Sequence, residues 1–170
     1  MDDMDDRSAN LVSALVVGLA DELDEATRRV TAQGATGASA LATILAVPGE
    51  HIDELSRVLG ITGSGTVRLV DRLAAEGLVE RRPGRDRRSV SLWLTERGAE
   101  MATAIVAGRR AVLRRALETL TDEQARQLTG LVEQVLATLA VSRERADRIC
   151  RLCDYVACPQ DDCPVERSVS

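Results

Sequence analysis

Four cysteines stand within 14 residues, Cys150, Cys153, Cys158 and Cys163, spaced Cys-x2-Cys-x4-Cys-x4-Cys, and the chain has no others. Four thiolates can close a tetrahedral shell around zinc, and a two-residue spacer is common in such sites. The spacing differs from the paired Cys-x2-Cys repeats of ordinary zinc modules. Two of the cysteines precede proline, at Pro159 and Pro164, a step also seen in cysteine runs that hold iron–sulfur clusters. Zinc is the leading expectation; an iron–sulfur cluster, redox-active thiols and a tail without any ligand stay open. Helical periodicity places Cys150 and Cys153 on one face at a helix end and leaves the other two in a loop.

Other reactive chemistry is sparse. His51 is the single histidine, beside a helix start and without a Cys or His neighbour in sequence, so a capping or surface role is expected of it. Gly63-Ser64-Gly65 lacks the spacing of a nucleophile elbow, and no glycine-rich phosphate loop is present. An enzyme is therefore not expected; a thiol oxidoreductase built on Cys150 and Cys153 is the enzymatic alternative.

The second group with chemical potential is arginine. All 22 basic residues are arginines. Residues 68–88 hold seven of them against four acids, a net of +3 in a chain of net charge −5. A basic strip on an acidic body can hold a polyanion locally and repel it elsewhere. Arg68 and Arg72 lie four apart, on one face of a helix, where each can reach a base edge or a phosphate of duplex DNA. The residues ahead of them, Thr62, Gly63, Ser64, Gly65 and Thr66, are small and mostly hydroxyl-bearing, which lets a helix end approach the DNA backbone closely. Arg85, Asp86, Arg87 and Arg88 form a turn in which arginine can enter a minor groove, with Asp86 pairing a neighbour to shape the loop.

The elements that must position these groups follow from periodicity and punctuation. Leu11, Leu15, Leu19 and Leu23 mark a helix over 8–33, with a break at Gly34 to Gly37. A short apolar helix follows over 39–47 and stops at Pro48-Gly49. Helices His51–Leu59 and Thr62–Glu76, joined through Gly60-Ile61, make a helix-turn-helix. Val67, Val70, Leu73 and Ala74 are the expected inner face of its second helix. Leu78–Arg82 and Ser89–Thr95 alternate as strands of a hairpin across Pro83-Gly84-Arg85-Asp86. Two long helices follow, one from Glu96 to about Leu120, the other capped at Thr121 and running to about Cys153 with Leu128, Leu131, Val132, Val135, Leu136 and Leu139 on one face.

The run from Gly77 to Gly98 resembles the signature of the MarR (multiple antibiotic resistance regulator) family. A recognition helix ends in Gly-Leu-Val, an Asp-Arg-Arg wing follows, and Leu-Thr and Gly close the pattern. The resemblance spans roughly 8–148 by layout. It implies a mainly α fold with a small β-hairpin wing, a winged helix-turn-helix, dimeric through long N- and C-terminal helices. It also implies a regulator, mostly a repressor, released by a small-molecule effector or by cysteine oxidation. By this resemblance Arg68 and Arg72 fall on the recognition helix, and Asp86, Arg87 and Arg88 on the wing. The near absence of aromatics leaves no stacking surface for a phenolic effector, and the cysteine tail is an addition to the family pattern.

The expected organisation is a dimerisation helix at 8–33, a DNA-binding lobe at 38–95, C-terminal dimerisation helices at 96–150 and a cysteine-rich tail at 150–170. The outer helices carry apolar stripes wider than one winged lobe can cover, so a homodimer is expected, with two recognition helices about one turn of a pseudo-palindromic duplex apart. The acidic start, Met1-Asp2-Asp3-Met4-Asp5-Asp6, is unlike a secretory leader, and no apolar run is long enough for a membrane span, so a cytoplasmic protein with reduced thiols is expected. The non-enzymatic alternative is a winged protein-interaction module that does not read DNA.

Overall fold

The computed structural model describes residues 5–84 and 90–170. The order is α1 (Asp6–Val30), α2 (Gly34–Ala46), β1 (Glu50–His51), α3 (Ile52–Leu59), α4 (Gly63–Ala75), β2 (Val79–Pro83), β3 (Val90–Leu94), α5 (Glu96–Leu117), α6 (Asp122–Leu139), α7 (Arg143–Cys150), a 3₁₀ turn at Gln160–Asp162, and α8 (Pro164–Arg167).

The core of the winged lobe is built around α2. Ala38, Ala40, Leu41 and Ile44 are fully enclosed there, joined by Leu55 of α3, Val70 and Leu73 of α4, Leu78, Leu92 of β3, and Ala102 and Ile105 of α5. Alanine at so many core positions lets helix backbones approach closely, so an aliphatic set without Phe can still reach native packing density. The break ahead of α2 is shorter than expected. Gly34 takes a left-handed conformation (φ +68°) and the helix begins at once, so the expected gap at 34–37 is already helical.

The wing is a three-stranded antiparallel sheet ordered β1-β3-β2. The expected hairpin is present, with Val79 opposite Leu94 and Pro83 opposite Val90. The added strand is β1, where Glu50 pairs with Leu92 and His51 with Ser91. Two residues carry no periodic signal, so β1 was not legible in the sequence.

Gly98 fixes how α5 leaves the sheet. Thr95 caps the helix, accepting from Gly98 N–H at 3.0 Å and donating to the Gly77 carbonyl at 2.7 Å. A Cβ at Gly98 would fall 1.9 Å from the Leu78 carbonyl oxygen, so only glycine permits this approach.

The expected cap at Thr121 is a full capping box with Gln124. The helix it opens does not run to Cys153. It stops at Leu139, and Ser142 starts α7 by accepting from Arg145 N–H at 3.2 Å. The apolar stripe through Leu139-Ala140-Val141 hid this break, because Ala140 turns inward instead of lengthening the outer stripe. It is buried beside Ala146, Cys163 and Val165.

The long helices leave much apolar surface uncovered. Leu11, Val12, Leu15, Val16 and Val17 of α1 are each more than half exposed, as are Leu131 and Val135 of α6. No residue of α6 is buried. Among the described residues, no helix is long and apolar enough to cross a membrane.

Candidate DNA interface and thiol cluster

The turn between α3 and α4 is set by Gly60, left-handed at φ +66°, with Ile61 N–H bonded to the Ser56 carbonyl at 3.2 Å. This is a glycine-terminated helix end. A Cβ on Gly60 would stand 2.8 Å from Arg148 Nε, so the turn also abuts α7.

Helix α4 opens at Thr62, whose hydroxyl accepts from Gly65 N–H at 3.2 Å and lies 3.3 Å from the Ser64 hydroxyl. Thr62 and Ser64 are exposed and Gly65 half-buried, so the amino end of the helix is open to a phosphate. Thr66 is not available. It is fully buried, donating to the Thr62 carbonyl at 3.1 Å and sharing a 2.8 Å hydrogen bond with Ser56. Its expected DNA contact is corrected to a structural one, the polar seam between α3 and α4. Val67, expected inside, is 40% exposed; the inner face is Thr66, Leu69, Val70 and Leu73. A one-residue rotation of the apolar stripe explains both errors, since the buried hydroxyl occupies a place a purely apolar reading gives to Val67.

Arg68 and Arg72 project from α4 into solvent. No acid among the described residues pairs with either, whereas two neighbouring arginines of the basic strip are engaged. Arg81 bridges to Asp71 at 2.7 Å, tying β2 to α4. Arg82 bonds Glu80 through Nε at 2.9 Å and lies 4.7 Å over the Trp93 ring, a cation–π contact that steadies the base of the wing. Arg85, Asp86, Arg87 and Arg88 lie outside the described residues. His51 is exposed, with its ring Nδ1 3.1 Å from the Val90 carbonyl; it occupies the N-cap position of α3 without a side-chain cap bond.

The four cysteines, far from this face in sequence, come to one place. Cys150, Cys153, Cys158 and Cys163 all line a cavity of about 230 Å³ whose opposite wall is α3, with Glu54 and Arg57 facing it. Cys163 is buried, Cys150 and Cys153 half-buried and Cys158 exposed, all as free thiols. Cys153 caps the end of α7 through a 2.9 Å bond to the Cys150 carbonyl. The Cys150 thiol is held protonated, chiefly because it donates to Cys153 and then because it is buried. Cys153 is correspondingly drawn down to about 7 by that bond, with burial opposing and the Arg109 charge assisting. Burial, then the neighbouring Cys163, pushes the Cys158 thiol up. Among the described residues, no group of three or more His, Cys, Asp and Glu side chains is arranged, as it stands, to hold a metal ion.

The tail that carries these thiols is docked, not loose. Arg143 of α7 and Glu166 of α8 form a paired bridge with both contacts at 2.7 Å, and Arg110 of α5 holds Asp154 at 2.9 Å. Asp147 of α7 pairs with Arg57 of α3, which also holds Glu54.

Residues 36–89 match the profile of the MarR family. No curated protein matches the chain. In fold it is similar to a MarR family protein from Bacillus stearothermophilus, with 25% identity over 78% of this chain and 96% of that one, at a TM-score of 0.65. It is similar also to the YusO protein of Bacillus subtilis, at 23% identity, 75% and 90% coverage and a TM-score of 0.66. A third likeness is to MepR, a transcription regulator of the Staphylococcus aureus multidrug efflux pump MepA, at 16% identity, 77% and 97% coverage and a TM-score of 0.66. The matched segment holds the helix-turn-helix and the first strand of the wing, the helices that flank them are folded as in these proteins, and the chain has the winged helix-turn-helix fold of MarR family transcription regulators.

Proposed function

We propose that the chain is a DNA-binding regulator without catalytic activity of its own, which acts in the cytoplasm as a homodimer on a pseudo-palindromic duplex and represses transcription there by occupying it. The carrying observation is the outer face of α4, where an open amino end is followed by two exposed arginines while Arg81 and Arg82 are held by Asp71, Glu80 and Trp93. Exposed guanidinium groups on a rigid helix are suited to bidentate contacts with guanine edges in a major groove. The arginines at 85, 87 and 88 would add minor-groove contacts. The uncovered stripe of α1 and α6 supports the homodimer, since apolar area of this extent in a stable chain is normally covered by a second copy. The four thiols around one cavity support zinc as the ligand of the tail, and a small-molecule effector would act on the same lobe arrangement.

The test is selection from a random duplex pool with the full-length protein, combined with sedimentation. Enrichment of an inverted repeat with half-sites about 10 base pairs apart, bound by a dimer, is the expected result. A monomer at micromolar concentration, or no enriched duplex at any salt, would overturn the proposal and favour a protein-interaction module.

A further inference from the structure

We infer that metal at the four thiols sets the pose of the DNA-reading helices, with α7 as the connecting element. The inference rests on the zinc reading of the tail. Helix α7 has two working faces. One, with Ala146, Ile149 and Cys150, closes the small core of the tail against Ala140, Cys163 and Val165. The other engages the helix-turn-helix: Asp147 pairs with Arg57 of α3, and the Arg148 guanidinium lies against Gly60 at the turn into α4.

Beyond its exposed ion pairs with α3 and α5 and the Arg143–Glu166 bridge, the tail has little packing to hold it. Its helices have 8 and 4 residues, far below the length at which a helix persists on its own. Its core has four buried members, three of them Ala or Cys. A covalent-strength cross-link between Cys150 and Cys153 at the end of α7 and Cys158 and Cys163 in the returning segment supplies what packing does not. Metal binding and local folding are one equilibrium in small sites, so the thiols need not be preset; each gives its proton to solvent on binding. The cavity they line has α3 as its other wall, so a change in how α7 sits reaches Arg57 directly.

The experiment uses full-length protein purified without chelator, zinc as the metal, and the best duplex from the selection. Metal content, hydrogen exchange of residues 51–60 and duplex affinity are measured before and after chelation and after zinc return. One zinc per chain, with loss of protection in 51–60 and about a tenfold fall in affinity on chelation, both restored by zinc, is expected; coupling between sites typically spans 5–150-fold. In Asp147→Asn zinc should stay bound while duplex affinity changes less than about twofold on chelation. Zinc bound, but exchange and affinity indifferent to it, would overturn the inference and leave the zinc site standing. Absence of zinc, iron with sulfide in its place, or a disulfide in the purified protein would overturn the zinc reading beneath it. Asp147→Asn as metal-dependent as the parent would overturn the route through α7.

Discussion

Arg68 and Thr66 sit two residues apart on α4 and answer to different physics. Arg68 is exposed and Thr66 fully enclosed. Arg68→Ala should cost about 1–3 kcal/mol on the selected duplex and relax preference at one base-pair position, read by anisotropy against single-base variants. Thr66→Val should act on stability instead. It removes the acceptor of Ser56 and the donor to Thr62, and a buried pair left half-satisfied costs about 1–3 kcal/mol in denaturant unfolding. An unchanged unfolding midpoint with weaker DNA binding would restore Thr66 to the interface. The exposed face of α4, with Thr62, Ser64, Arg68 and Arg72, was legible from residue type and spacing. Thr66 was not, because threonine looks the same in sequence whether its hydroxyl faces a phosphate or a neighbouring helix. The cysteines were legible as a cluster from their density alone, but their seat beside α3 was not, since that depends on a helix break the apolar pattern conceals.

Between elements, the close approaches decide. Gly98→Ala puts a methyl group into the Leu78 carbonyl and should be among the most damaging single substitutions, at about 4 kcal/mol or more in equilibrium unfolding. The bridge between Arg143 and Glu166 gives the tail a pH dependence. Its hydrogen bond to Arg143, more than the charge itself, holds the Glu166 carboxyl below its ordinary value of 4.5. A depressed acid contributes fully above its unfolded value and loses that contribution as pH falls through the folded one. Limited proteolysis should therefore find the segment after Cys163 protected at neutral pH and increasingly cleaved below about pH 4.5, and Arg143→Ala should be cleaved at both. The existence and order of α1 to α6 were readable from periodicity, and Gly60 and Thr121 from their capping chemistry, whereas α8 was not. The strand Glu50–His51 and the break at Ala140 were not, because each is set by a tertiary neighbour: β3 for the first, Cys163 and Val165 for the second.

At the scale of the whole molecule, the exposed stripe on α1 and α6 is the surface through which the proposed dimer is tested. Leu15→Glu together with Val135→Glu places charge on both exposed faces and should yield monomers in sedimentation, with duplex affinity lowered by at least tenfold because two half-sites are no longer engaged together. The same aliphatic economy that fills the core with Ala, Leu and Val leaves the chain with one Trp and one Tyr. Trp93 lies at the root of the wing under Arg82, with Gly49 close against its ring, and Tyr155 lines the cavity of the thiols, its hydroxyl pushed up to about 12 chiefly by burial. The protein thus carries two built-in optical reporters, one at each end of the proposed route from tail to DNA. Tryptophan emission should report on the wing when duplex is added and tyrosine absorbance on the cavity when zinc is added or chelated, and neither needs a label.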